Sequence, residues 1–448
     1  MYIKLTNTLT GTKEIFEPLT PGKVNLYVCG VTPYDYSHIG HGRCYVTFDT
    51  LVRLLRLIGF QVTYVRNVTD IDDKLLNKAQ ALGDMMKYTE VAEKFTQAFH
   101  HNMAQLNCLT PDYEPRVTQC IPEIIEFING LVQANKAYVV DNDVYFDLAA
   151  YPAYGKLSGK NLDDLIAGAR VDVDERKRSP GDFALWKGNN EEKFWKSPWG
   201  YGRPGWHIEC SVMAKKYLGT TVDIHGGGQD LTFPHHENER AQSESLHNEP
   251  FVRFWMHNAF VNINKEKMSK SLGNIISLND MFKAKDPMVV RFYFLQHHYR
   301  TPIDFSYSDL DATQTAYKKL VTHLSPPLQT PASVEWTAYI KHNPAAHAML
   351  EALCDDLNTP KFLGLVFEHL SEYKTDPILA DFVRMLLTSV LGLTLQPLPE
   401  QVVEVTPEIQ KLLYEREEAR LAKNWKHADA IRDQLTKLGY TPQDKKVS

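Results

Sequence analysis

Residues 206–239 gather side chains that bind metal ions and phosphates: Cys210, then Asp223-Ile224-His225-Gly226-Gly227-Gly228-Gln229-Asp230, then Pro234-His235-His236-Glu237-Asn238-Glu239. His235 and Glu239 stand four apart, so on a helix opened by Pro234 both side chains leave one face and can grip one metal ion. Cys210 is a candidate third ligand. Thiolate, imidazole and carboxylate together suit zinc in a tetrahedral site, with a fourth position still to fill. A zinc peptidase of the H-E-x-x-H type is excluded, because His236-Glu237 begins that motif but Arg240 stands where its second histidine belongs.

Two other stretches suit phosphate chemistry. His38-Ile39-Gly40-His41 lies at a loop-to-helix junction, where unpaired backbone N–H groups and the helix dipole favour an anion and Gly40 lets a ligand approach the backbone. Lys267-Met268-Ser269-Lys270-Ser271 offers two lysines on a glycine-terminated loop, suited to neutralising charge on a departing polyphosphate. The run Gly226-Gly227-Gly228 with Asp230 admits close backbone approach and offers a carboxylate to ribose hydroxyls. Each is weak alone, and their joint occurrence in this order is the strong signal.

These residues need a scaffold. Residues 24–28 read as a buried strand ending at Cys29-Gly30. A helix follows, with Phe48, Leu51, Val52, Leu55 and Ile58 at helical spacing and Gly59 at its end, and residues 61–68 alternate as a second strand. Strand, helix, strand, helix opens a parallel α/β sheet. Ligands of such sheets lie outside the carboxyl ends of the strands, where Cys29 falls; Cys44, Cys108, Cys120 and Cys354 sit in helical or surface contexts. Cys29 is therefore the candidate fourth ligand. Asp70, Asp72 and Asp73 read as helix caps, since no glycine turn or distal bidentate glutamate of a calcium loop follows.

A chain of 448 residues predicts two to four domains, and 43% hydrophobic with 23% charged residues is a globular composition that excludes general disorder. The formal charge of -6 gives no global electrostatic footprint for nucleic acid, so an RNA partner has to be held by local basic patches. The first residues lack the apolar core of a signal peptide, and the best apolar run, residues 382–395, is broken by Arg384. A cytoplasmic protein with no membrane segment is the expectation, and its six scattered cysteines read as reduced thiols or metal ligands.

His38-Ile39-Gly40-His41 and Lys267-Met268-Ser269-Lys270-Ser271 resemble the two signature motifs of class I aminoacyl-tRNA synthetases, and Cys29, Cys210, His235 and Glu239 fall where cysteinyl-tRNA synthetases hold their zinc. Tyr27-Val28-Cys29-Gly30, Arg66-Asn67-Val68-Thr69-Asp70-Ile71-Asp72-Asp73-Lys74 and residues 205–210 and 223–239 resemble that family too, so the likeness runs nearly end to end. Pro33 departs from it, standing where a small aliphatic residue is expected.

The resemblance implies an α/β fold: a Rossmann-type parallel-sheet catalytic domain in two parts, 1–115 and 204–262, split by an insertion, 116–203. A signature-loop region at 263–315, a helical bundle at 316–400 and a small C-terminal anticodon-recognition unit at 401–448 complete it. It implies activation of L-cysteine with ATP, accompanied by Mg²⁺, and transfer to tRNA(Cys) by a monomer. His38, His41, Lys267 and Lys270 take the catalytic roles, with Gly40, Gly227 and Asp230 adding to the ATP site. Gly30, Thr69, Trp206 and His225 are expected to line the amino-acid pocket, and Arg420, Trp425 and Asp429 to read the anticodon. Two alternatives stand beside this reading: a ligase of the same fold joining cysteine to an amino sugar, opposed by residues 316–448, and a catalytically idle zinc-bearing RNA-binding paralogue, opposed by both signatures.

Overall fold

The structure, a computed structural model, describes residues 2–160, 175–263, 265–268, 273–324, 335–399, 406–422 and 424–437. Lys270 and the side chain of Lys267 lie outside the described residues. Two compact units emerge, Met1–Gln396 and Pro397–Ser448.

A four-stranded parallel sheet organises the first unit. Its strands are β1 (Lys23–Val31), β2 (Gln61–Val68), β3 (Val222–Gly228) and β4 (Val252–Asn258), in the spatial order β4-β3-β1-β2. They are almost wholly buried, as strands covered on both faces must be, which is why they read as apolar runs and not as strict alternation. The chain steps one way from β1 to β2 and the other way from β3 to β4. The sheet order therefore reverses between β1 and β3, and a crevice opens at their carboxyl ends.

Helix α1 (Ile39–Leu57) follows β1 and ends where expected, with Gly59 at φ 101° just beyond it. Two buried arginines fix it. Arg43 donates to the carbonyls of Ala259, Phe260, His298, Tyr299 and Thr301, and Arg291 meets Asp49 of α1 and the carbonyls of Leu391 and Leu106. Buried charges satisfied in this way are costly to disturb, so the N-terminus of α1 is held rigidly at the crevice.

Between β2 and β3 lies an antiparallel five-stranded sheet in the order Ala137–Val140, Asp143–Phe146, Phe183–Gly188, Gly200–Pro204, Trp195–Ser197. Trp186 is fully buried in it, and Trp195 and Trp199 pack partly buried against the same core. Asp73 ties this sheet to the helix Asp73–Ala81 by pairing with Lys187 at 2.6 Å and with Arg203, while Asp72 caps that helix by accepting from the Lys74 N–H.

Helix α2 (Trp206–Leu218) leads into β3, and α3 (Glu237–His247) leads into β4. Pro234 opens the helical run as expected: Phe233 before it is extended at φ -141°, ψ 131°, His236 is already helical at φ -68°, ψ -32°, and the run passes into α3. His235 and Glu239, four apart on it, share a side.

Past β4, Val261–Ile263 pairs antiparallel with Glu266–Lys267 and parallel with Ile303–Phe305. The helix Tyr307–Leu324 buries Leu310, Tyr317, Leu320 and Leu324, and further helices run to residue 390. The second unit pairs Pro407–Leu421, capped by Thr406, with Trp425–Lys437 over Ile409, Ile431 and Leu435. Among the described residues no helix is long and apolar enough to cross a membrane.

Candidate active site and metal centre

Three elements deliver one cluster. Cys29 comes from β1, Cys210 from α2, and His235 and Glu239 from the helical run that enters α3, all buried, and their donor atoms lie within 4.8 Å of one another. The two sulfurs are 3.7 Å apart, Cys29 Sγ lies 3.6 Å from Glu239 Oε1, and His235 Nε2 lies 3.0 Å from the same oxygen. A tetrahedral zinc with Zn–S bonds of about 2.3 Å would separate two sulfurs by about 3.8 Å. The donor set and its spacing therefore fit such an ion. Among the described residues Glu239 meets histidines and no lysine or arginine, so the chain brings no permanent cation to this buried carboxylate.

A ring of histidines surrounds the cluster. His225 Nε2 lies 2.8 Å from Glu239 Oε2, and His207 Nδ1 lies 2.9 Å from His235 Nδ1. His236 reaches Cys29 Sγ at 3.2 Å through Nε2 and His257 at 2.7 Å through Nδ1; His257 ends on Thr8 Oγ1 at 2.8 Å. Cys29, His225, His236 and Glu239 thus form a second four-donor set overlapping the first. Tetrahedral S–S spacing favours the set containing both cysteines, with His225 left to orient the carboxylate.

Electrostatics follow from burial and contact. Burial opposes ionisation of Cys210, yet hydrogen bonds from Cys29 and His235 bring its thiol down to about 6. Burial and the neighbouring Cys210 push Cys29 up. Burial also opposes charge on His235 and Glu239, but their mutual attraction, with help from Cys210 and His225, lifts His235 to about 10 and lowers Glu239 to about 2. Burial drives His236 and His257 down, His257 to about 3, so both rings are neutral. A metal ion would take His235 as neutral imidazole and Cys29 as thiolate, so its binding would release the protons these two ligands otherwise hold.

From this cluster a cleft of about 320 Å³ runs along the crevice. Cys29, Gly30 and Trp206 line one end, and His38, Gly40, His41, Gly228, Asp230 and Met268 line the rest. His38 is the N-cap of α1, its ring stacked on His41 at 3.8 Å, and its N–H donates to His41 Nδ1 at 3.2 Å. Trp206 stacks on His235 at 4.2 Å, joining the cleft wall to the metal cluster.

Residues 15–315 match the model of the class I (C) tRNA synthetase catalytic domain, and residues 403–447 match that of the cysteinyl-tRNA ligase anticodon binding domain. A cysteine–tRNA ligase of Geobacillus sp. (strain WCH70) is 46% identical over 97% of this chain and 95% of its own length. One of Coxiella burnetii (strain RSA 493 / Nine Mile phase I) is 46% identical over 99% of this chain and 98% of its own. The chain belongs to the cysteine–tRNA ligase family. At the level of fold it also superposes on Mycobacterium tuberculosis methionyl-tRNA synthetase in complex with methionyl-adenylate, with a TM-score of 0.60 and 14% identity, covering 83% of this chain and 92% of that one.

Within this cysteine–tRNA ligase family member the expected residues do not all reach the cleft. Gly30 and Trp206 line it, whereas Thr69 is buried with its hydroxyl on Glu209 Oε2 at 2.9 Å, and His225 lies behind Glu239. Gly227, expected at the nucleotide, faces Leu231 and His236; Gly228 takes the cleft wall instead, because side chains alternate along β3. In the C-terminal unit Trp425 is 59% exposed, Arg420 stands 4.0 Å from Glu417, and Asp429 pairs with Arg432 at 3.1 Å.

Several site residues of this family member went unread in the sequence. Asn67 accepts from the Gly30 N–H at 2.8 Å and lies 3.7 Å from Cys210 Sγ; Tyr45 donates to the Cys29 carbonyl at 3.1 Å; His257 and Thr8 end the histidine chain. A signal existed for His257, a polar residue at the carboxyl end of the apolar strand β4, in register with Gly227. None existed for Thr8, which is brought in from the amino terminus.

Proposed function

We propose that this chain is a ligase that activates L-cysteine with ATP, giving cysteinyl-adenylate and diphosphate, and passes the cysteinyl group to tRNA(Cys). The observation that carries the reading is one continuous cleft joining a thiol-compatible metal cluster to a phosphate-suited helix N-terminus. The cysteine carboxylate is itself the nucleophile, so the protein's task is to position it against the α-phosphate and to stabilise charge. The α1 N-terminus, with His38, Gly40 and His41, holds phosphate oxygens, and Asp230 accepts from ribose hydroxyls. Lys267 and Lys270 neutralise the departing diphosphate, with Mg²⁺ accompanying ATP.

Cys29, Cys210, His235 and Glu239 would hold zinc. When bound there, zinc supplies a soft site that prefers a thiolate to a hydroxyl. An apolar pocket alone would separate cysteine from serine by only about 1–3 kcal/mol. Trp206 and Gly30 shape the wall around the substrate, and His225 holds Glu239 in orientation. The C-terminal unit, with Arg420 and the exposed Trp425 beside Asp429, reads the anticodon.

The test is cysteine-dependent exchange of pyrophosphate into ATP, followed by transfer to tRNA(Cys) or to an amino sugar. Exchange with charging of tRNA(Cys) is the expected result. Exchange without tRNA charging would favour the amino-sugar ligase, and no exchange would leave an idle RNA binder. The match of residues 403–447 to an anticodon-binding domain argues against the amino-sugar reading.

A further inference from the structure

The amino-acid end of the cleft carries a cation that none of these roles employs. Lys74 stands exposed in the first turn of the helix Asp73–Ala81 and lines the cleft together with Cys29, Tyr34 and Trp206. Its Nζ lies 5.4 Å from the centre of the Tyr34 ring and 6.0 Å from that of Trp206. Because Trp206 stacks on His235, a single indole separates the ammonium from the metal cluster.

Nearby acids are engaged elsewhere. Asp73 is held by Lys187 and Arg203, and Asp72 accepts from the Lys74 backbone N–H. Among the described residues no carboxylate lies within ion-pair distance of Lys74 Nζ, and Lys74 is the one described lysine or arginine on the cleft wall. These same contacts anchor the helix turn from which Lys74 projects. Its aromatic neighbours hold the cation by their faces without neutralising it.

The proposed reaction brings two anions together, the α-carboxylate of cysteine and the α-phosphate of ATP. With the substrate sulfur directed to the Cys29 end, the carboxylate is left on the cleft side of Trp206, the side Lys74 occupies. We infer that Lys74 is a substrate-binding residue whose ammonium pairs with the α-carboxylate of L-cysteine and orients it for attack. This inference rests on the function proposed above.

The experiment compares two ligands on the full-length metal-loaded protein by isothermal titration: L-cysteine, and cysteamine, which keeps the thiol and amine but lacks the carboxylate. Lys74→Met is expected to weaken L-cysteine binding about tenfold, a loss in the range of a charge-assisted hydrogen bond, and to leave cysteamine binding unchanged. Lys74→Arg should restore most of the L-cysteine affinity, and thermal melts check that both variants fold. Equal weakening of both ligands would mean that Lys74 only props Trp206, and no weakening of either would mean that it does not meet the substrate; each overturns the inference while wild-type L-cysteine binding keeps the functional reading intact. Failure of the wild-type protein to bind L-cysteine would overturn both.

Discussion

Gly30 follows Cys29 in β1, and replacing it by alanine tests how tightly strand packing sets the metal cluster. A Cβ on Gly30 would stand 1.5 Å from the Asn67 carbonyl oxygen and 2.5 Å from the carbonyl carbon. Carbon–oxygen contacts between neighbouring strands close at about 3.3 Å, so something has to move by about 1.8 Å. The obstacle is backbone, which no rotamer change can clear. The strands are paired on both sides of the collision, Val28 with Arg66 and Val31 with Val68, and the Gly30 N–H is bonded to the Asn67 side chain at 2.8 Å. Displacement therefore passes to Cys29, the adjacent residue.

Metal sites tolerate donor displacements of about 0.2 Å, far less than the shift required. Gly30→Ala should purify with substoichiometric metal and lose at least about 100-fold in cysteine-dependent pyrophosphate exchange. Its stability should fall by about 1–3 kcal/mol in chemical denaturation, the cost of forcing a methyl group into a packed interior. Gly364→Ala is the control: a Cβ there meets nothing within 4 Å, and the position lies inside the helix Thr359–Glu368, so this variant should gain about 0.5–1 kcal/mol. Gly30→Ala with stoichiometric metal and wild-type exchange would refute the reasoning.

Cys210→Ser should remain folded yet lose metal, measured by elemental analysis after gel filtration, and should lose discrimination between cysteine and serine in the exchange assay; retained metal and selectivity would remove Cys210 from the ligand set. Glu114 bridges buried Arg66 at 2.5 Å and His100 at 2.5 Å, and although burial works the other way these partners hold its carboxyl below the ordinary value. A carboxylate with a depressed folded pKa stabilises fully above the unfolded value of about 4.3 and loses that contribution as pH falls through the folded value. Glu114→Gln should therefore cost about 3 kcal/mol at neutral pH and flatten the fall in stability below about pH 4.3, whereas parallel curves in acid would show the pair to be unimportant. Ending the chain after Pro399, just past the boundary between the two compact units, should spare pyrophosphate exchange and impair tRNA charging; equal loss of both would count against an anticodon module.

Local patterns made much of this legible in advance. The strand at 61–68 and the helix ending near Gly59 have the right periodicity and stop signals, and of the three aspartates read as caps Asp72 caps its helix, while Asp70 accepts from Thr118 and Asp73 pairs with Lys187 and Arg203. Where local signals misled, a non-local cause can be named. Gly227 was separated from the cleft by strand alternation, a one-residue matter decided by which face of β3 points at the crevice. In the inserted sheet Gly200–Pro204 is a glycine- and proline-bearing strand without apolar alternation, which leaves it no local signal.

The metal end and the phosphate end are joined by one piece of structure, which gives the site its coherence. Helix α1 presents His38 and His41 at its N-terminus, and from its second turn Tyr45 donates to the carbonyl of Cys29. Arg43, between them, and Arg291, bonded to Asp49 further along, lock the same helix against the loops after β4 and against the helical region. In the proposed reaction, the cluster that would hold the substrate sulfur and the helix end that would hold the nucleotide are thus referred to a single rigid element, not to two loops able to drift apart. Where catalysis consists of placing a carboxylate against a phosphorus atom, an error in their separation enters the rate directly. Burying two arginines to hold one helix still suits such a reaction, and it places buried charge around a helix whose first two turns line the cleft.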